Sequence, residues 1–383
     1  MTTRLSFSLY NCKLEKLTDH NILSGYVDGI ELFFKTDKQH DLVLSADPFI
    51  AAMLLPAMQA GRDITIPDYL SASPKFLLNL IKLQEIFSLW YPELKPITIH
   101  CKAGAVDAAR SNQECAAFFS GGLDASFTLL KNRDMLTHLI YVRGIDMQLG
   151  DDTLYKQCLD ANREIADSFA KALVPIESNV RFFIRSLSKT KINWSKAQGC
   201  GLASIAYALG HQTVFISSSN TYDNLHPYGT HPLTDPLFST ESVTILHDGS
   251  EVRRHEKLLA VSKNDFLLQR IRVCWQDKGL NCGKCDKCLH FRIALTLCGL
   301  KTSNFAPLTN YAELAGAHVG TVGEFLEWDD NLQLARKVNN PKACRAINKQ
   351  LNRFRLKQIA KLVDEVFFRG RFFKPAPQVA GGK

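Results

Sequence analysis

The sequence predicts an α/β protein with a doubly wound parallel sheet at its centre, and three observations predict it. The runs "CAAFF", "HLIYVRG", "ALVPIE" and "TVFISSS" have the composition of buried strands, and "LDASFTLLKNR", "DTLYKQCLDANREIADSFAKAL" and "SKAQGCGLASIAYALG" stand between them as helices. Strands and helices alternating at this spacing imply right-handed crossovers and a parallel sheet with helices on both faces. A glycine-rich turn, "SGGLDAS", joins the first strand to the first helix.

The remaining composition bounds the rest. At 383 residues the chain is long enough for two or three domains, and its 46% hydrophobic content supports a large core. No run approaches the roughly 18 apolar residues of a membrane helix, so no membrane partner is expected. "MTTRLSFSLYNCKLEKL" has polar residues where a secretory signal would be apolar, which implies a cytoplasmic protein. Eleven cysteines in such a chain point to thiols and metal ligands before disulfides. Thirteen Lys and Arg against two acids between Asn331 and Lys383 make a basic tail on a near-neutral body.

Residues 1–110 read as a separate small α+β domain. "GIELFFKT" has strand composition, "DPFIAAMLLPAMQAG" is a helix closed by Gly61, and "DITIP" is a short strand. Ser73 and Pro74 then make the start of a helix that Pro92 stops. "CKAGAVDAARSNQE" is the linker. With no chemistry-bearing motif, this domain is expected to pack, to dock a protein partner or to form a homodimer. Residues 111–300 make the second domain, and 301–383 a helical, basic third region.

Ser120, Gly121, Gly122, Leu123 and Asp124 sit where the first strand of the second domain becomes a helix, a natural anion site. Glycines let backbone N–H groups approach phosphate oxygens, and Ser120 and Ser126 can add hydroxyl donors. Asp124 either helps hold Mg2+ or fixes the loop by accepting N–H bonds. Arg143 and Gly144, at the end of "HLIYVRG", are further cofactor-binding candidates because ligands bind beyond the carboxyl ends of such strands. "SGGLDAS" resembles the pyrophosphate loop of the ATP pyrophosphatases, with Ala125 where that loop usually has Ser or Thr. The resemblance implies a Rossmann-like HUP domain that cleaves ATP between the α- and β-phosphates. In the enzymes it resembles, a carboxylate or carbonyl oxygen is adenylated, and a nitrogen or sulfur nucleophile then displaces AMP.

Cys274, Cys282, Cys285 and Cys288 have the spacing C-x7-C-x2-C-x2-C, which lets four thiolates converge on one tetrahedral Zn2+. A redox CxxC pair, a sulfur-carrying cysteine and an iron–sulfur cluster are the competing readings. Such a cluster about 150 residues after the loop resembles the 7-cyano-7-deazaguanine synthase family over residues 114–300. That implies an ATP-dependent, C–N bond-forming ligase acting on a deazaguanine-like or other carboxylate.

Between the motifs, His226, His231, Asp235 and Glu241 lie in a polar rim segment that could orient substrate or Mg2+, or simply bond within the loop. Arg253, Arg254 and Lys257 follow; Arg254 and Lys257 are catalytic candidates alongside Asp124 and Ser126, as cations that neutralise departing pyrophosphate. A solvated charge cluster is their other reading. In the last region Ile347, Leu351, Phe354, Ile359, Leu362 and Val366 fall on one side of an amphipathic helix. Its basic face could hold nucleic acid with Phe354 as a stacking partner, although no RNA-binding signature accompanies it. Three readings follow: a small-molecule ligase, a modifying enzyme acting on a tRNA base, and a nucleotide- or partner-binding protein without catalysis.

Overall fold

The computed structural model describes residues 5–104, 114–188, 190, 192–274, 276 and 279–369. They form two compact units, 1–251 and 252–383.

The first unit opens with three antiparallel strands, β1 (Ser6–Lys16), β2 (His20–Val27) and β3 (Ile30–Asp37). Asp28 and Gly29, both at positive φ, turn β2 into β3, the Asp-Gly pairing that a two-residue hairpin favours. Helix α1 (Asp47–Ala60) ends on left-handed Gly61 as expected, and β4 (Asp63–Thr65) and β5 (Ser71–Ala72) follow. Helix α2 (Pro74–Trp90) is capped by Ser73, whose hydroxyl accepts from Phe76 N. After β6 (Ile99–His100) and β7 (Lys102–Ala103) come the alternating elements: β8 (Cys115–Phe118), α3 (Leu123–Lys131), β9 (His138–Arg143), α4 (Asp152–Ser168) and β10 (Ala172–Ser178). Helices α5 (Val180–Leu187) and α6 (Trp194–Leu209) then lead to β11 (Thr213–Ser217) and β12 (Thr244–Asp248). Most of the linker, residues 105–113, lies outside the described residues.

Ten of these strands make one mostly parallel sheet, in the order β12-β11-β8-β9-β10-β3-β2-β1-β4-β6. From β12 to β10 every pairing is parallel. Within that half the chain runs outward from β8 through β9 to β10, then returns to β8's other side for β11 and β12. The strand order therefore reverses at β8, where an α/β sheet opens a crevice beyond its carboxyl ends.

The expected boundary near residue 110 does not divide the structure. β3 pairs antiparallel with β10, Phe34 opposite Ser178 and Thr36 opposite Ile176. Asn179 rivets the junction, accepting from Phe33 N at 3.0 Å and donating to Glu31 O at 2.8 Å. One apolar core runs from Phe7 on β1 through α1 and α6 to Ile245 on β12. An edge strand left with open N–H and C=O groups is stabilised by such pairing, which joins segments some 140 residues apart. The boundary near residue 300 moves likewise, because the cysteine segment belongs to the second unit.

That unit contains α7 (Arg254–Val261), α8 (Asp265–Leu268), α9 (Asp286–Leu297), α10 (Val322–Lys337) and α11 (Pro341–Phe368). Its core joins Leu289, Ile293, Trp328, Leu332, Ile347 and Leu351. Ile347, Leu351 and Phe354 are buried as expected, whereas Ile359, Leu362 and Val366 are exposed. Length explains this difference. The 16 residues of α10 span about 24 Å and the 28 of α11 about 42 Å, so α10 covers only the first part of its partner. Phe354 packs on Phe325 at 5.3 Å in this core and is not an exposed stacking partner. Among the described residues no helix is long and apolar enough to cross a membrane.

Candidate functional site

The glycine loop follows β8 at the strand-order reversal. Gly121 has φ 76°, a conformation that side chains disfavour, and a Cβ there would meet Asn162 Oδ1 at 2.8 Å. Gly122 is the N-cap of α3 in ordinary extended backbone and contributes no side-chain cap. The first-turn N–H groups of this nine-residue helix are thus oriented toward the crevice end of the sheet. Two polar atoms near these strand ends are buried without a hydrogen-bond partner among the described residues, Asn162 Nδ2 of α4 and Ser217 Oγ at the end of β11. Asn162 lies against Gly121 and was not foreseen from the sequence. The Asn162 atom nearest Gly121 is the acceptor Oδ1, so the uncapped start of α3 is the feature here that fits an anionic group.

The individual candidates separate here. Ser120, Gly122 and Asp124 are partly exposed, whereas Leu123, Ala125 and Ser126 are buried. Ser126, 1% exposed, points its hydroxyl away from solvent, because successive helix positions turn by about 100°. Arg143 stands at the carboxyl end of β9 but is taken up by the protein's own groups. It pairs with Asp152, donates to Glu177 at 3.2 Å and to Leu149 O, and lies over the Tyr155 ring. Gly144, φ 102°, is required by packing: a Cβ would come within 2.0 Å of Ser178 O.

Helix α3 is held by Asp248 at the end of β12, which accepts from Thr128 Oγ1 at 2.8 Å, Lys131 Nζ at 2.7 Å and Asn132 Nδ2 at 3.2 Å. The signal for it was an acid ending an apolar run before Gly249. Asp235 is fully buried and lies 2.7 Å from His247 Nδ1; His247 Nε2 is 3.1 Å from Ser250 Oγ, which donates to Ser218 Oγ at 3.0 Å. This Asp-His-Ser chain is enclosed and braces the turns after β11 and β12. His231 packs on Trp90 and accepts from Leu233 N through Nδ1. Burial lowers its pKa to about 4. Glu241 caps α2, accepting from Ser73 Oγ and from Lys75 N at 2.8 Å. Glu241 is thereby committed to the helix start, and His226 contacts Asn224 O and Tyr228.

Arg253, Arg254 and Lys257 belong to the second unit. Arg254 pairs with Glu327 at 3.3 Å and Arg253 with Asp330 at 3.4 Å, both acids on α10. Lys257 is 1% exposed. This is the fate of cations beside an acidic helix face, and it replaces the solvated cluster.

In the same unit the four cysteines converge. One sulfur from each of Cys274, Cys282, Cys285 and Cys288 lies within 4.8 Å of the others, with Cys274 to Cys285 at 3.8 Å and Cys282 to Cys288 at 3.9 Å. Zinc–sulfur bonds of about 2.3 Å in a tetrahedron place sulfurs about 3.8 Å apart, so the set fits Zn2+. Gly283, φ 72°, makes the turn between Cys282 and Cys285, and its carbonyl accepts from Arg292 Nη1 at 2.9 Å. Backbone N–H groups of Gln276 and Cys282 point at Cys274 Sγ, and that of Cys285 at Cys282 Sγ. Hydrogen bonding, first from the Cys288 thiol, lowers the pKa of Cys285 to about 5, and burial raises that of Cys274.

No protein-family model, curated protein or solved structure matches the chain.

Proposed function

We propose that the chain is an ATP-dependent adenylating ligase of the ATP-pyrophosphatase kind, forming a C–N bond at an activated carboxylate. The observation that carries this reading is the position of "SGGLDAS": it follows β8, where the strand order reverses, and opens α3 without a side-chain cap. The backbone of Gly121, Gly122 and Leu123, with Ser120 Oγ, would hold the β- and γ-phosphates at the uncapped start of α3. Asp124, partly exposed, would hold Mg2+ or the loop. Bound Mg2+ supplies charge neutralisation of the phosphates.

The substrate carboxylate oxygen forms a bond to the α-phosphorus as the bond to pyrophosphate breaks. A nitrogen nucleophile then forms a bond to the acyl carbon as AMP departs, and its proton passes to solvent. Arg143, Arg254 and Lys257 take no part in this reading, since the two arginines are paired with carboxylates and Lys257 is buried. Zn2+ on the four cysteines would be structural, because four thiolates leave no position for water.

A second reading, nucleotide binding without turnover, is favoured by Ala125 and the burial of Ser126, which leave the first turn without an exposed hydroxyl after Asp124. Incubation with ATP, Mg2+, ammonia and a panel of carboxylates, followed by mass spectrometry, separates the two. AMP, pyrophosphate and an amide are expected. ADP and phosphate, or binding with no cleavage, would remove the ligase reading.

A further inference from the structure

At the amino ends of the parallel strands, Glu114, His138 and His211 come together. Glu114 precedes β8, His138 opens β9, and His211 follows the left-handed Gly210 that ends α6, just before β11. These three strands are neighbours, with β8 in the middle. Their starts are aligned by Thr213 N donating to Glu114 O at 3.2 Å and Thr137 N donating to Cys115 O at 2.8 Å. One oxygen of Glu114 and one nitrogen from each imidazole lie within 4.8 Å of one another, and the two rings are 4.9 Å apart. His211 is 1% exposed and the Glu114 side chain 20%, so the cluster is covered on one side and reachable from water on the other.

Hydrogen bonding sets the form of His138. The single Thr137 hydroxyl proton goes to Cys115 O at 2.9 Å, and the oxygen accepts from Cys115 N at 3.0 Å. With that proton on Cys115 O, the 2.8 Å contact at His138 Nδ1 is one that the ring N–H can donate, the tautomer in which Nε2 can ligate a metal. A ring nitrogen fixed by a hydrogen bond through its other nitrogen is the usual arrangement of a metal-ligating histidine. His211 Nδ1 is 3.0 Å from Glu114 Oε2, and since a carboxylate accepts, a proton bridges them in the metal-free protein. Two imidazoles and one carboxylate suit first-row divalent ions, whereas Mg2+ and Ca2+ favour all-oxygen shells.

We infer that Glu114, His138 and His211 form a second, thiolate-free site for a divalent transition ion such as Zn2+, open to water in its remaining position, that staples the starts of β8, β9 and β11. Six residues of nearly extended chain, about 20 Å at about 3.3 Å each, separate Glu114 from Ser120, so this site is independent of the proposed nucleotide site.

The test uses the full-length protein, stripped of metal and dialysed against Zn2+, with metal counted by plasma mass spectrometry. About two ions per chain are expected, one on the cysteines and one here. His138→Gln and Glu114→Gln should each lose one and keep the other, and Co2+ bound to either variant should retain its thiolate charge-transfer band. Cys282→Ser should show the converse. Zinc that saturates at one ion and vanishes in Cys282→Ser would overturn the inference, as would two ions retained in both Gln variants. If either variant fails to fold, wild-type protein with the cysteines already zinc-filled decides: Ni2+ should raise its melting temperature, and an unchanged Tm overturns the site.

Discussion

Asp248, the last residue of β12, accepts a hydrogen bond from the buried Thr128 hydroxyl of α3 at 2.8 Å. The helix that begins at the glycine loop is thereby tied to the edge of the parallel sheet. Lys131 and Asn132 close on the same carboxylate, so the first helix of the site is held from one acid. Asp248→Ala leaves Thr128 and Asn132 without this acceptor and should cost about 2–3 kcal/mol of unfolding free energy in urea. Thr128→Val should cost about 1 kcal/mol, and equal effects from the two would deny Asp248 its central role.

Asp124→Asn should abolish AMP and pyrophosphate formation while leaving the melting temperature unchanged, because the side chain is partly exposed and the amide is isosteric. Gly121→Ala should cost about 1–2 kcal/mol and weaken nucleotide binding, since residue 121 sits at φ 76° against Asn162. Gly122→Ala has no such backbone penalty, so a difference between the two glycines in a nucleotide titration reads out the loop's conformation.

Removal of one thiolate should unfold the second unit early. Cys282→Ser is expected to lower zinc content and melting temperature by about 5–10 °C, because binding energy at a closed four-cysteine site is also folding energy. A chelator should reproduce that shift in the wild type and add little in the variant.

Acid should act through His231. Its folded pKa, lowered by burial to about 4, lies below the ordinary 6.5, so the unfolded chain takes up the proton first. The stabilisation is complete above pH 6.5 and is lost as pH falls toward about 4. His231→Asn keeps an acceptor for Leu233 N and removes the titration. The stability difference between wild type and this variant should therefore shrink between those two values in urea melts.

Leu351→Ala should cost about 3 kcal/mol, the usual penalty for a cavity in a packed core. Leu362→Lys, on the stretch of α11 that α10 does not reach, should change stability by less than about 0.5 kcal/mol. A large loss for Leu362→Lys would mean that its exposure in the monomer is not its working state.

Short-range signals carried the elements of this protein. The apolar runs of β8 to β11, the Ser73 cap and the Gly61 stop each reside within a few residues, because period and capping are properties of one turn of chain. The Asp28-Gly29 hairpin is equally local but was not read from the sequence, and the alternation in β1 that buries Phe7 and Leu9 was obscured by the polar residues around it. The glycine loop and the cysteine spacing are also local patterns, since a turn and a tetrahedral knuckle need only neighbouring residues.

What the sequence by itself determined is therefore the alternating α/β class, the loop at a strand-to-helix junction and four cysteines able to meet at one point. Tertiary structure decided the rest. Joining β3 to β10 merged strands β1 to β3 with the parallel sheet, and burial of Ser126 and pairing of Arg254 with Glu327 removed two sequence candidates from the exposed chemistry. It also brought Glu114, His138 and His211 to one edge. The physical reason is that strand order sets which distant residues share an edge, and that order depends on the free energy of the whole sheet rather than on any segment's own pattern.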